Sequence, residues 1–108
     1  MTMPDDQVER RGYPRFEVHG NKLQVTVGVL GSEPTNGVVL DISRGGMKVC
    51  LEGEIPKSLI GEDCLLRFVD PEGRVNPKAM LGKLRRMEGE GRYTIEFNEP
   101  LEKLLVAY

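Results

Sequence analysis

The sequence predicts an all-β domain, built as a small antiparallel sandwich or barrel. Three observations carry that expectation. Short runs of alternating apolar and polar residues follow one another closely from Phe16 to Asn98. Clusters of Gly, Pro and Asn separate them and read as turns. The chain has 108 residues and 39% hydrophobic content, the size of one ordinary domain with a modest core.

Taken in order, residues 1–9 are polar and hold the acids Asp5, Asp6 and Glu9, which reads as a mobile tail. "RRGYPRFEV" follows. Gly12 and Pro14 oppose a helix, and Pro14 pushes Tyr13 extended. Arg11 and Arg15 therefore do not share a helical face; with Arg10 they sit on a bendable arm, residues 10–15. "FEVHG" and "KLQVTVGVL" alternate as strands, with Gly20-Asn21 as the turn that makes them a hairpin. "GVVLDIS" and "GMKVCLEG" form the next pair. "GEIPKSLIGE" is a longer connection with one short helical turn. "EDCLLRFVD" is a strand ending at the turn Pro71-Glu72-Gly73, and "KAMLGKLRRM" and "RYTIEFN" flank Gly89-Glu90-Gly91. The ending "NEPLEKLLVAY" predicts a helix docked on the sheet. Asn98 is its N-cap, Pro100 lies in its first turn, and Leu101, Leu104, Leu105 and Tyr108 form one stripe. No repeat or second domain is visible.

Composition excludes several classes. Charged residues make up 30% of the chain, yet the net charge is −2, unlike a general nucleic-acid or membrane binder. Cys50 and Cys64 form no CxxC or Cys/His cluster, and His19 is the only histidine, so no metal or disulfide framework is expected and both thiols are expected buried and reduced. The start is not a signal peptide and no apolar run approaches a membrane span, which makes the cytoplasm the expected location. His19 has no triad partners, Glu52/Glu54 and Glu62/Asp63 have no evident acid–base partner, and no P-loop is present; neither an enzyme nor a cofactor is expected. Lys83 and Arg85 share a strand face and read as solvated charge.

One segment is chemically distinctive: "DISRGG". Strict alternation points Val38, Leu40 and Ile42 inward and Val39, Asp41 and Ser43 outward. A carboxylate accepts two parallel hydrogen bonds, and the guanine N1–H and N2–H edge offers two. Ser43 can donate or accept beside it. Gly46 lets a base or phosphate approach the backbone. Taken alone, the segment reads more readily as ordinary turn chemistry than as a site. Arg10, Arg11 and Arg15 add guanidinium groups suited to phosphate and to guanine O6 and N7.

Together these stretches resemble the PilZ domain family. "RRGYPR" is similar to its RxxxR motif at Arg11 and Arg15, preceded by Arg10. "DISRGG" is similar to its (D/N)xSxxG motif at Asp41, Ser43 and Gly46, and "RYTIEFNEPLEKLL" to its last strand and C-terminal helix. The resemblance covers residues 10–108. It departs at Thr94, where many members have glycine. The resemblance implies a six-stranded antiparallel barrel that binds cyclic di-GMP. Arg11 and Arg15 would grip phosphates and guanine, Asp41 and Ser43 would hold a guanine, and Gly46 would give clearance. Arg10 fits the pattern that takes an intercalated ligand dimer. Arg44 and Gly45 are further candidates, with Arg44 also readable as solvated. The implied function is a receptor whose arm orders on ligand and contacts a separate effector protein. The alternative is an adaptor that binds no nucleotide.

Overall fold

Turn residues and alternation divide the chain into nine strands, seen in a computed structural model that describes residues 13–20 and 23–104. They are β1 (Phe16–Glu17), β2 (Gln24–Val29), β3 (Thr35–Ile42), β4 (Gly46–Leu51), β5 (Asp63–Val69), β6 (Val75–Asn76), β7 (Ala79–Gly89), β8 (Arg92–Phe97) and β9 (Lys103–Leu104). The only helical element among the described residues is a 3-10 turn at Lys57–Leu59, inside the long connection.

Six strands close on themselves in the order β3-β2-β5-β7-β8-β4, with β4 returning to β3, and every pairing is antiparallel. Closure leaves no open sheet edge within the barrel. The alternation is cleanest in β5, where Cys64, Leu66 and Phe68 face in and Asp63, Leu65, Arg67 and Val69 face out. Val25, Val27 and Val29 from β2, Met47, Val49 and Leu51 from β4, and Tyr93, Ile95 and Phe97 from β8 complete the core. Phe68 meets Phe97 edge to face at 6.1 Å. The Asp70–Gly73 turn forms as read: Gly73 N–H bonds Asp70 O at 3.1 Å, and the buried Asp70 carboxylate accepts the Val75 N–H at 2.7 Å. Cys64 is buried, and burial and the Asp63 charge push its thiol up to about 11; Cys50 is only half-buried, short of the full burial expected.

Three expectations are corrected. "FEVHG" and "KLQVTVGVL" do not pair as a hairpin. Both β1 and β2 lie along the same side of β3, with Phe16 opposite Ile42 and Val27 opposite Thr35. Strict alternation through β3 fails because the register shifts between Val39 and Asp41, leaving Leu40 as an extra residue. Val39 and Ile42 are therefore both fully buried, while Val38 and Leu40 are half-buried. The bulge keeps Asp41 facing outward.

The C-terminal α-helix does not form across the described residues 98–104. Local spacing is overridden by partners elsewhere in the chain. Asn98 N–H goes to Leu81 O, Leu101 N–H to Arg44 O and Glu102 N–H to Asn76 O, and β9 pairs with β6. Of these donors the Glu102 N–H would otherwise close the first helical turn, and a short isolated helix is marginal in water. Leu101 is fully buried in the core all the same. Leu105 and Tyr108 of the expected stripe lie outside the described residues, as do the tail and Arg10 and Arg11 of the arm.

Candidate functional site

The loop between β3 and β4 is built from the residues singled out in sequence, and each has a local task. Ser43 is buried rather than outward-facing. Its N–H bonds Gly46 O at 2.8 Å; its hydroxyl donates to the same oxygen at 3.3 Å and accepts the Gly45 N–H at 3.2 Å. Gly45 O in turn accepts the Phe97 N–H at 2.9 Å, tying the loop to β8. Gly46 is bare for a reason of packing: a Cβ there would lie 2.6 Å from Ile95 O. Gly45 faces the arm instead, where a Cβ would meet the Tyr13 ring at 3.1 Å.

Arg44 is not simply solvated. Its Nε donates to Leu101 O at 2.8 Å, the Leu101 N–H returns a bond to Arg44 O at 2.8 Å, and its guanidinium lies 5.3 Å from the Tyr13 ring centre. The arm and the C-terminal segment are thus joined through one side chain.

Beside this loop lies a cleft of about 340 Å³, lined by Arg15, Ser43, Gly45 and Gly46 on one side and by Arg85, Arg86, Thr94, Ile95 and Glu96 on the other. Three guanidinium groups converge on it, and each is paired with a carboxylate. Arg15 donates to Asp41 Oδ1 at 2.7 Å, with Asp41 20% exposed. Arg85 Nε lies 3.5 Å from Glu96 Oε1, and Arg86 Nε lies 2.9 Å from Glu88 Oε2. Glu88 also receives Lys48 Nζ at 3.3 Å and Thr94 Oγ1 at 3.1 Å. These donors, Lys48 foremost, then Thr94 and Arg86, hold the Glu88 carboxyl below its usual 4.5. A guanidinium has five N–H donors and each pair uses few of them. Each guanidinium thus keeps donors beyond those its pair uses, while the three carboxylates balance the three charges.

The structure brings Arg15, Ser43, Gly45 and Gly46 to one cleft, with Asp41 joined to it through Arg15. Sequence reasoning grouped Lys83 with Arg85. A second register shift, between Leu84 and Arg86, separates them: Lys83 pairs with Asp63 at 3.2 Å, and Arg85 and Arg86 turn to the cleft. Arg86, Glu88 and Glu96 were missed. The only sequence signal near them was Thr94, which the structure places in the cleft on Glu88. A larger hollow of about 510 Å³ includes Arg44 but also Glu99 and Glu102, acids that disfavour phosphate there. No group of three or more His, Cys, Asp or Glu that could hold a metal occurs among the described residues, and none of their helices is long and apolar enough to cross a membrane.

Comparison with protein-family models matches the PilZ domain over residues 9–108, nearly the whole chain. Comparison with curated proteins and with solved structures gave no match.

Proposed function

Because the chain belongs to the PilZ domain family, whose members bind cyclic di-GMP and act as receptors or adaptors rather than enzymes, we propose that it is a cyclic di-GMP receptor using the cleft between the 43–46 loop and β7–β8. The observation that carries this reading is the convergence of Arg15, Arg85 and Arg86 around the bare backbone of Gly45 and Gly46. Cyclic di-GMP carries two phosphate charges and two guanines. Charge-assisted hydrogen bonds to such groups contribute about 1.5–3 kcal/mol each.

In this reading Arg15, with Arg10 and Arg11, grips phosphate and the guanine O6 and N7 edge. Asp41 takes the guanine N1–H and N2–H pair. A carboxylate has about four lone-pair sites, so Asp41 can keep Arg15 while accepting both guanine donors. Ser43 shapes the loop, since its hydroxyl is already engaged there. Gly46 lets the ligand lie against the loop. Arg10 would serve an intercalated ligand dimer. Ligand fixes the arm of residues 10–15 against the barrel, and a separate effector protein reads the new surface. The work is cytoplasmic, with no nucleic-acid polymer and no cofactor.

A specific observation favours a second reading, an adaptor that binds no nucleotide. Each matched motif residue among the described ones has a structural task of its own: Arg15 and Asp41 pair with each other, Ser43 holds its turn, and Gly46 admits β8. Calorimetric titration of the full chain with cyclic di-GMP separates the two. Saturable heat, lost in Arg15→Ala and in Arg86→Ala, supports the receptor. Cyclic di-AMP should bind at least about tenfold more weakly, or ~1.4 kcal/mol, because adenine turns an acceptor toward Asp41. No heat, with no ligand-dependent rise in the thermal midpoint, leaves the adaptor.

A further inference from the structure

We propose that the outer face of β2, β5 and β7 is a docking surface for an amphipathic segment of a partner protein, one that presents a carboxylate beside its apolar side chains. This face is not the nucleotide cleft, and its test needs no nucleotide.

Outward positions of a small barrel normally carry polar side chains. Among the described residues five large apolar side chains are exposed, and four of them, Leu30, Leu65, Val69 and Leu81, belong to this face. The lateral register explains the grouping. Gly28 stands opposite Leu65, and Leu65 stands opposite Leu81, making one row across three strands. Leu30 is 94% exposed at the head of β2, on a turn closed by the Ser32 N–H on Val29 O at 3.0 Å. Gly28, Leu30, Pro34, Leu65 and Leu81, together with the Lys83-paired Asp63, line a hollow of about 410 Å³. The hollow is not forced by packing: a Cβ at Gly28 would come no closer than 3.9 Å to any neighbour. A missing side chain where one would fit leaves a recess for someone else's. Grouped apolar exposure of this kind marks an interaction surface more often than chance.

The charge beside the row selects the occupant. The next row is Thr26, Arg67 and Ala79. Arg67 is exposed between two small neighbours and has no hydrogen-bond or ion-pair partner among the described residues. The other charges of this face, Lys83 and Asp63, hold each other at 3.2 Å. One uncommitted cation therefore borders the apolar row. Lys83 and Asp63 cancel, so the face keeps the single charge of Arg67, and two copies docked face to face would meet with like net charge. A carboxylate-bearing partner neutralises Arg67 instead. Neighbouring strands place Leu65 and Leu81 roughly 5 Å apart, which matches the ~5–6 Å between side chains four apart on a helix.

The test is a titration of the ¹⁵N-labelled full chain followed by NMR. The probe is a 16-residue helical peptide with leucines at i, i+4 and i+7 and a glutamate at i+3; its control carries lysine there. The expected result is shifts centred on Gly28, Leu65, Arg67 and Leu81, with the glutamate peptide binding at least about tenfold more tightly. Arg67→Glu should reverse the preference, and Leu65→Ser or Leu81→Ser, both at exposed positions, should remove binding by either peptide while the spectrum stays folded. Shifts elsewhere, no binding, or an affinity indifferent to peptide charge overturns the proposal. Concentration-dependent dimerisation in sedimentation, abolished by Leu65→Ser, would give the face to a second copy and overturn it equally.

Discussion

Gly46→Ala tests whether the bare backbone of the 43–46 loop serves barrel closure. The added methyl would stand 2.6 Å from Ile95 O and 3.5 Å from the Glu96 Cα. Real Cβ atoms do not approach closer than 3.0 Å, so β4 and β8 must part by at least the difference, 0.4 Å. The obstacle is backbone, so no side chain can swing aside. Nor can the strand slide outward, because β4 is held on its other side by β3. The strain falls on the fully buried Met47–Ile95 pair and on the Phe97 N–H to Gly45 O bond. Overpacking of this kind costs about 1–3 kcal/mol. At roughly 4–8 °C per kcal/mol for a domain near this size, the melting midpoint should fall by about 5–20 °C. Thermal and urea unfolding by circular dichroism, without ligand, measure it, and the urea slope should stay unchanged. Gly28→Ala is the control: its methyl makes only an ordinary 3.9 Å contact with Leu65 O, and its midpoint should hold or rise slightly. If Gly46→Ala melts like the wild type, the packing argument is wrong. If it also loses cyclic di-GMP, the bare position serves the ligand instead.

Three other outcomes follow from the same geometry. Arg15→Ala removes a half-exposed ion pair and should change stability by no more than about 1 kcal/mol, yet abolish nucleotide binding by calorimetry; unfolding of the variant would make Arg15 structural. Glu88 is depressed in the folded state, so its contribution is present above the unfolded carboxylate value and is lost as pH falls through the folded one. Glu88→Gln should accordingly melt lower than the wild type at pH 7, with the gap narrowing as pH falls below the ordinary carboxylate value of 4.5; a gap independent of pH would refute the assignment. Leu101→Ala should destabilise by about 2–5 kcal/mol in urea, because Leu101 is fully buried although no helix carries it.

Much of the barrel was legible because its signals are local. Alternation in β5 and β8 and the turn at Asp70–Gly73 are written in neighbouring residues. The errors share a cause: the deciding partner lay far along the chain. Leu101 and Leu104 have helical spacing, but the amides of Leu101 and Glu102 go to Arg44 and Asn76, and that of Asn98 to Leu81. Leu40 and Arg85 look like ordinary alternating residues until the register of the opposing strand exposes them as extras. The site divided in the same way. Asp41, Ser43 and Gly46 could be found because turn and guanine chemistry both need short, contiguous patterns. Arg86 and Glu88 could not, since their place beside Gly46 depends on the bulge in β7 and on closure of β8 against β4.

Closure also bears on how such a chain can change length. In an open sheet a deleted residue is absorbed by slipping an edge strand, but here β3 lies between β4 on one side and β1 and β2 on the other. Removing a regularly paired residue such as Val38 would turn the part of β3 on one side of the cut to the opposite face and carry buried side chains out of the core. Removing Leu65 would do the same to β5, where Leu66 and Phe68 face in. Insertions and deletions should therefore be borne by the 52–62 and 70–78 connections, where the chain runs outside the barrel pairing. A library of single-residue deletions scored for soluble folding would show two tolerant windows there, separated by strands that accept substitution far more readily than any change in count.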